Sequence, residues 1–369
     1  MTVTIANSKL SVNDIAKVRG QLLRWYDSYT RDIPWRANEG SIPAPYHIWL
    51  SEIMCQQTTV QAVKPYYEKF LQRWPSVHDL ANARQEDVMA AWAGLGYYAR
   101  ARNLHKCAKV VAEDLGGVFP ATQEQLKKLP GIGDYTAAAI AAIAFNRPAT
   151  VVDGNVERVV ARFFAVEEPL PTVKPKLKAL AAQFYNDFTT RPGDLAQSLM
   201  DLGAEICIPK APRCSLCPLQ AACQARKQGI TKQLPRKIKA KTRPQKYGHI
   251  YWITNDQEQV LFHQRPEQGL LGGMLGLPTT DWNEDSTSLT HPEYINIPTP
   301  LHIQVQHTFT HFDLKLDLFE ATLKAKLPVK DIKLCWLCPM STGDKLPSVF
   351  KKAHKILVSP NKQNLEVAS

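Results

Sequence analysis

Two carboxylates and four thiols stand in this chain where they could do chemistry. Glu52 lies one turn from Ile48 and Trp49 and beside Ile53, on a helix expected from His47 to about Gln57, so a carboxyl group falls among apolar neighbours. The plain reading is a glutamate on a helix surface. The functional reading is a desolvated acid, its pKa raised until it stays protonated near neutrality and can donate a proton. Asp153 falls in a tight turn, Val151-Val152-Asp153-Gly154-Asn155, which follows an alanine-rich stretch. Four cysteines fall within 17 residues as Cys207-x6-Cys214-x2-Cys217-x5-Cys223, a thiolate set able to hold either zinc or a four-iron cluster.

These groups need elements to position them. Leu129-Pro130-Gly131-Ile132-Gly133 reads as a turn between two helices, where glycine supplies positive φ or lets another backbone approach closely. The helix after it, capped by Asp134, would present unpaired N–H groups and the positive end of its dipole, a site suited to a phosphate. Further helices are expected from Val12 to Tyr29, Tyr66 to Trp74, Gln85 to Ala93, Ala101 to Leu115 and Val156 to Phe164, and along the run from Leu177 to Leu202. Beyond residue 246 the pattern changes to strands at 247–253 and 259–262, then an alternation that puts Phe312, Leu314, Leu316 and Leu318 on one face, then a closing helix from about Leu346 to Val358.

The hairpin and the Val-Val-Asp-Gly-Asn turn together resemble the helix-hairpin-helix DNA glycosylase superfamily, and within it the MutY family of adenine glycosylases. Trp49-Leu50-Ser51-Glu52, Gln56-Gln57-Thr58, Gly94-Leu95-Gly96-Tyr97-Tyr98-Ala99-Arg100, Met200-Asp201-Leu202-Gly203-Ala204 and the four-cysteine array support the resemblance, which covers most of residues 20 to 225. It implies a multidomain chain: an all-α helix-hairpin-helix glycosylase domain at 1–228 with a [4Fe-4S] loop at 207–223, a basic linker at 229–246, and an α+β Nudix-like domain at 247–369 that reads the lesion. Gln264-Arg265-Pro266 and the segment from Gly269 to Pro278 look like that last domain, but the metal-binding Nudix helix is absent, so a second hydrolase site is not expected.

The implied activity is base-excision repair: hydrolysis of the N-glycosidic bond of adenine mispaired with 8-oxoguanine or guanine in duplex DNA. By resemblance Glu52 protonates the departing adenine and Asp153 faces the oxocarbenium charge, with Tyr135 and Asn155 assisting. Gln56, Gln57, Thr58, Tyr97, Gly131 and Gly133 contact DNA, Tyr97 as the wedge that supports base flipping. Phe309-Thr310-His311 stands in place of the family's Phe-Ser-His lesion-reading loop. Cys207, Cys214, Cys217 and Cys223 hold the cluster. The nearest rival is an endonuclease III-like glycosylase and lyase for oxidised pyrimidines, which places an imine-forming lysine two residues after the second hairpin glycine; Tyr135 stands there. A non-catalytic iron–sulfur DNA-binding protein is the other, against which the two carboxylates argue.

Composition agrees with a nucleic-acid partner. The formal charge is +11, and residues 206–255 alone hold eleven Lys or Arg with no Asp or Glu. Such a segment suits a polyanion and gives salt-sensitive binding. The chain is too long for one typical core, and the start has neither the basic nor the apolar region of an export signal. A cytoplasmic monomer is expected, acting on double-stranded DNA and not on membranes, with a sliding-clamp contact left open. Cys335 and Cys338 are expected to be buried strand thiols.

Overall fold

The computed structural model describes residues 11–29, 31–36, 43–238, 242–266, 269–324 and 333–359. Its helices in chain order are α1 Val12–Ser28, α2 Pro45–Cys55, α3 Val60–Arg73, α4 Val77–Asn82, α5 Gln85–Ala91, α6 Ala99–Lys109, α7 Gln123–Leu126, α8 Asp134–Phe145, α9 Gly154–Phe163, α10 Lys174–Tyr185, α11 Pro192–Asp201, α12 Gln224–Lys227, α13 Pro339–Thr342 and α14 Ser348–Val358. The strands are β1 Gln245–Trp252, β2 Val260–Gln264, β3 Leu275–Gly276, β4 Thr299–Thr308, β5 Asp313–Glu320 and β6 Lys333–Leu337. The chain divides into two compact units, 1–82 with 103–240 and 83–102 with 241–369. No helix among the described residues is long and apolar enough to cross a membrane.

The first unit is helical and built around α8. Thr136 to Ala144 are all buried, so this helix is apolar on every side and sits inside the unit rather than on its surface. α2 and α11 pack against it. Alanine is what permits the approach: a Cβ on Gly193, in the first turn of α11, would stand 2.7 Å from the Ala142 carbonyl oxygen. α2 is buried from Ile48 to Met54, which carries Glu52 into the interior with its neighbours. The run expected from Leu177 to Leu202 is two helices, α10 and α11, because Pro192 can open a helix but not continue one.

Two local expectations are corrected. Asp134 does not cap α8: Gly133 is the cap, in extended backbone and without a side-chain bond, and Asp134 is the first helical residue. Its carboxylate pairs instead with Lys127 at 2.5 Å and Lys178 at 3.7 Å. Residues 231–238, expected as extended connector, are held on the first unit. Leu234 is buried and its carbonyl accepts from Arg162 Nε at 2.8 Å, while Leu170 exchanges backbone bonds with Arg236 and Ile238. Residues 239–241 of that connector lie outside the described residues.

The second unit is α+β. One sheet has the order β1-β5-β4, with β1 parallel and β4 antiparallel to β5; the other has the order β3-β2-β6. Leu314, Leu316 and Leu318 alternate onto the buried face of β5 and pack with Ile250, Val260, Phe262, Val349, Phe350 and Leu357, so α14 closes the core from the far end of the sequence. Residues 83–102 cluster with this unit, a grouping that the expected boundaries did not contain. Cys335 and Cys338 are not buried thiols: Cys335 is partly exposed on β6 and Cys338, at the start of α13, is exposed.

Candidate active site

Burial of α2 and the turn before α9 bring the two carboxylates into one cleft of about 1060 Å³ in the first unit. Glu52 is 8% exposed, and Tyr135 Oη donates to its Oε2 at 2.8 Å. Burial pushes the Glu52 carboxyl to about 7; the Tyr135 bond pulls it down, the Asp153 charge lifts it and Arg36 lowers it. Asp153 is the side-chain cap of α9, its Oδ1 accepting from Val156 N–H at 2.7 Å and its Oδ2 from Asn155 Nδ2 at 2.8 Å. Burial also holds its carboxyl above the ordinary range, opposed by the Val156 and Asn155 donors.

The hydrogen bonds around the pair assign an orientation to each group. Tyr135, on the first turn of α8, serves Glu52; Asn155, on the first turn of α9, serves Asp153. Arg158 then fixes Asn155: its guanidinium donates to Asn155 Oδ1 at 2.9 Å, to the Gly203 carbonyl at 2.8 Å and to the Cys207 carbonyl at 2.7 Å. A Cβ on Gly203 would stand 2.6 Å from Asn155 Cβ and 3.0 Å from its carbonyl oxygen, so only glycine lets the chain pass there. Asp201, which also lines the cleft and is 1% exposed, receives both terminal nitrogens of Arg36 at 2.8 Å, and Arg36 also donates to Tyr26. Burial opposes the Arg36 charge, and Asp201 and Tyr26 more than offset that. The roles of Arg36, Arg158 and Gly203 were not assigned from the sequence. Gly203 and Asp201 lay in a quoted segment, but nothing local tells which distant side chain each meets.

Gln56, Gln57 and Thr58, after the last turn of α2, line the same cleft, as do Gly131 and Gly133. Gln56 Nε2 donates to Thr136 Oγ1 at 3.1 Å, and Gln57 takes a left-handed backbone at φ 58° that turns the chain out of the helix. Gly131 has φ 75°, and a Cβ there would meet Asn103 Cβ at 2.7 Å. Lys174 also lines the cleft, with its ammonium on Glu157 at 2.8 Å.

Tyr97, Phe309, Thr310 and His311 belong to the second unit and line a separate pocket of about 540 Å³ there. Tyr97 is 44% exposed at φ 48°, and its hydroxyl meets Thr310 Oγ1 at 2.5 Å. Arg100 stacks over both Tyr97 and Trp92.

The four cysteines of 207–223 line one small pocket in the first unit together with Arg162 and Arg226. Among the described residues, no three His, Cys, Asp or Glu side chains are set to hold a single metal ion. Arg162 is 2% exposed, and its partners are the carbonyls of Leu234, Cys207, Ile208 and Pro209 and the Cys207 sulfur at 3.3 Å. Among the described residues this buried cation has no carboxylate partner, which suits thiolates that carry the compensating charge. Burial, added to the proximity of the other three thiols, pushes Cys217 up to about 12.

Comparison with known proteins places the chain in a family. Residues 50–183 match the HhH-GPD superfamily base excision DNA repair protein family, and residues 249–355 match the NUDIX domain family. The adenine DNA glycosylase of Homo sapiens is 36% identical over 384 residues, covering 87% of this chain and 70% of that protein. That of Buchnera aphidicola subsp. Acyrthosiphon pisum is 33% identical, covering 80% of this chain and 84% of its own length. The chain belongs to the adenine DNA glycosylase family. As a member it is a DNA glycosylase, a hydrolase of N-glycosyl bonds, with a helical helix-hairpin-helix part and a Nudix-like part. Among solved structures, a thermostable thymine-DNA glycosylase aligns at a TM-score of 0.52 and 30% identity over 58% of this chain and 98% of its own. Endonuclease III trapped covalently on DNA aligns at 0.50 and 21% over 60% of this chain and 100% of its own, a likeness of fold alone.

Proposed function

We propose that this glycosylase releases adenine mispaired with 8-oxoguanine or guanine in duplex DNA, by acid-assisted hydrolysis without a lyase step. The observation that carries the reading is the pair of differently held carboxyls in one cleft. Glu52, poised near 7, keeps a substantial protonated fraction at neutral pH and can pass that proton to the ring nitrogen of an extruded adenine, so that a neutral base departs. Tyr135 aims the Glu52 carboxyl. Asp153, held by two donors and the first turn of α9, meets the positive charge that develops on the sugar. A lyase would need an amine nucleophile. Tyr135 stands where the rival chemistry wants lysine, and Lys174 in the cleft is engaged with Glu157.

Gly131 and Gly133, with Gln56, Gln57 and Thr58, form the DNA-facing rim, and Tyr97 is the wedge that fills the stack when a base leaves. Phe309, Thr310 and His311 read the base opposite, because adenine in the mispair is itself undamaged. Cys207, Cys214, Cys217 and Cys223 take a [4Fe-4S] cluster, which when bound ties four separated positions together and supplies Arg162 with an anionic partner. The test is a duplex panel with adenine opposite 8-oxoguanine, guanine or thymine, plus an oxidised pyrimidine, scored for strand breaks with and without alkali. Alkali-dependent breaks at adenine in the first two duplexes are expected. Preference for the oxidised pyrimidine, or breaks without alkali, would overturn the reading.

A further inference from the structure

We propose that Asp134 is an electrostatic brake on the hairpin's hold on DNA phosphate, held ready by Lys127 and Lys178; the idea rests on the DNA-binding role given to the hairpin above. The start of α8 combines features that favour an anion. Gly133 caps the helix without a side-chain bond, Gly131 and Gly133 are exposed, and the dipole end is positive. Lys127, which follows α7, and Lys178, from α10, converge there from two sides. The anion they meet in the free protein is the chain's own: Asp134 Oδ1 is 2.5 Å from Lys127 Nζ and Oδ2 is 3.7 Å from Lys178 Nζ. All three side chains are about half exposed, so the pairs can open.

A backbone phosphate arriving at Gly131 and Gly133 meets this carboxylate in the same cleft wall. Each lysine that turns to phosphate leaves Asp134 less compensated, so the exchange yields less than binding to a free lysine would. Counterion release carries most of the affinity of such contacts, and a pre-paired lysine contributes only part of it. The consequence for a hydrolase that must abandon its abasic product is a hairpin that holds DNA less tightly than its lysines allow.

The experiment uses the full chain. Dissociation constants of wild type, Asp134→Asn and Asp134→Glu are measured on a duplex with adenine opposite 8-oxoguanine and on a fully paired duplex, between about 50 and 200 mM KCl. Asp134→Asn should bind both duplexes more tightly, on the order of tenfold near 0.1 M salt, with a salt slope steeper by about one to two. Asp134→Glu should behave as wild type. In a Lys127→Ala, Lys178→Ala background the asparagine substitution should no longer steepen the salt slope, because no lysine is freed to meet phosphate. Unchanged or weaker binding by Asp134→Asn overturns the proposal, as does a steeper salt slope that survives loss of both lysines. Adenine release by the wild type, measured separately, tells failure of the glycosylase reading apart from failure of the brake.

Discussion

Replacing Tyr135 with Phe removes one oxygen atom and leaves the ring, so it isolates the hydroxyl that donates to Glu52 Oε2 at 2.8 Å. That bond favours the ionised carboxylate, since it is an O–H donated to an acceptor that strengthens with charge. Burial pushes Glu52 up to about 7 and the Tyr135 bond is the largest influence in the other direction. A hydrogen bond to a charged group is worth about 1.5–3 kcal/mol, and about 1.4 kcal/mol corresponds to one pKa unit. The lower end of that range, about 1.5 kcal/mol, is close to one such unit. If Glu52 works protonated, excision is full below its pKa and falls about tenfold per pH unit above it. The wild-type alkaline limb should centre near pH 7, and in Tyr135→Phe it should move by about one pH unit toward alkali. The assay is single-turnover adenine release with enzyme in excess, from pH 5.5 to about 9.5, the range in which the limb must fall. Loss of amplitude alone is uninformative, because the ring also helps shape the cleft; the position of the limb decides. A limb that stays put or moves toward acid refutes the donor role of Tyr135 or the acid role of Glu52.

Three further outcomes follow from the same geometry. Glu52→Gln should abolish excision yet stabilise the fold at alkaline pH. A carboxyl raised from 4.5 to about 7 in the folded protein gives up stability as pH climbs between those values, about 3 kcal/mol in all, so the gain in Tm should be present at about pH 8 and absent below the ordinary glutamate range; equal melting shifts at both extremes would count against a desolvated Glu52. Gly203→Ala should cost about 1–3 kcal/mol, since its Cβ falls 2.6 Å from Asn155 Cβ, and should slow excision by disturbing Asp153; a normal rate at a lowered Tm would separate Gly203 from the site. Protein purified anaerobically should carry about four irons per chain with broad visible absorption that Cys217→Ser abolishes, and stoichiometric zinc in place of iron would dismiss the cluster.

How much was legible before the fold depended on the reach of each interaction. From Ala137 to Phe145 the alanine-rich helix is apolar at every position, so its place inside the helical unit could be read from residue types alone, because no face of that stretch has anywhere else to go. The alternation of Leu314, Leu316 and Leu318 likewise determined a strand with one buried face. The candidate carboxylates, the hairpin glycines and the four thiols could be named beforehand because their types and local spacing match a family's motifs. Asp134 shows where local pattern misleads: an aspartate beside a helix start is a favoured cap, yet Lys127 and Lys178 from two other elements compete for it and the cap falls to Gly133. What only the tertiary structure decided is which groups meet. Tyr135 is 83 positions from Glu52, and Arg158 reaches a carbonyl 49 positions away while holding Asn155. Leu234, in a stretch whose composition reads as solvated linker, is buried, and its carbonyl accepts from Arg162. Partners so far apart are chosen by how whole helices pack, and a buried charge or carbonyl takes whichever partner that packing leaves within hydrogen-bonding distance.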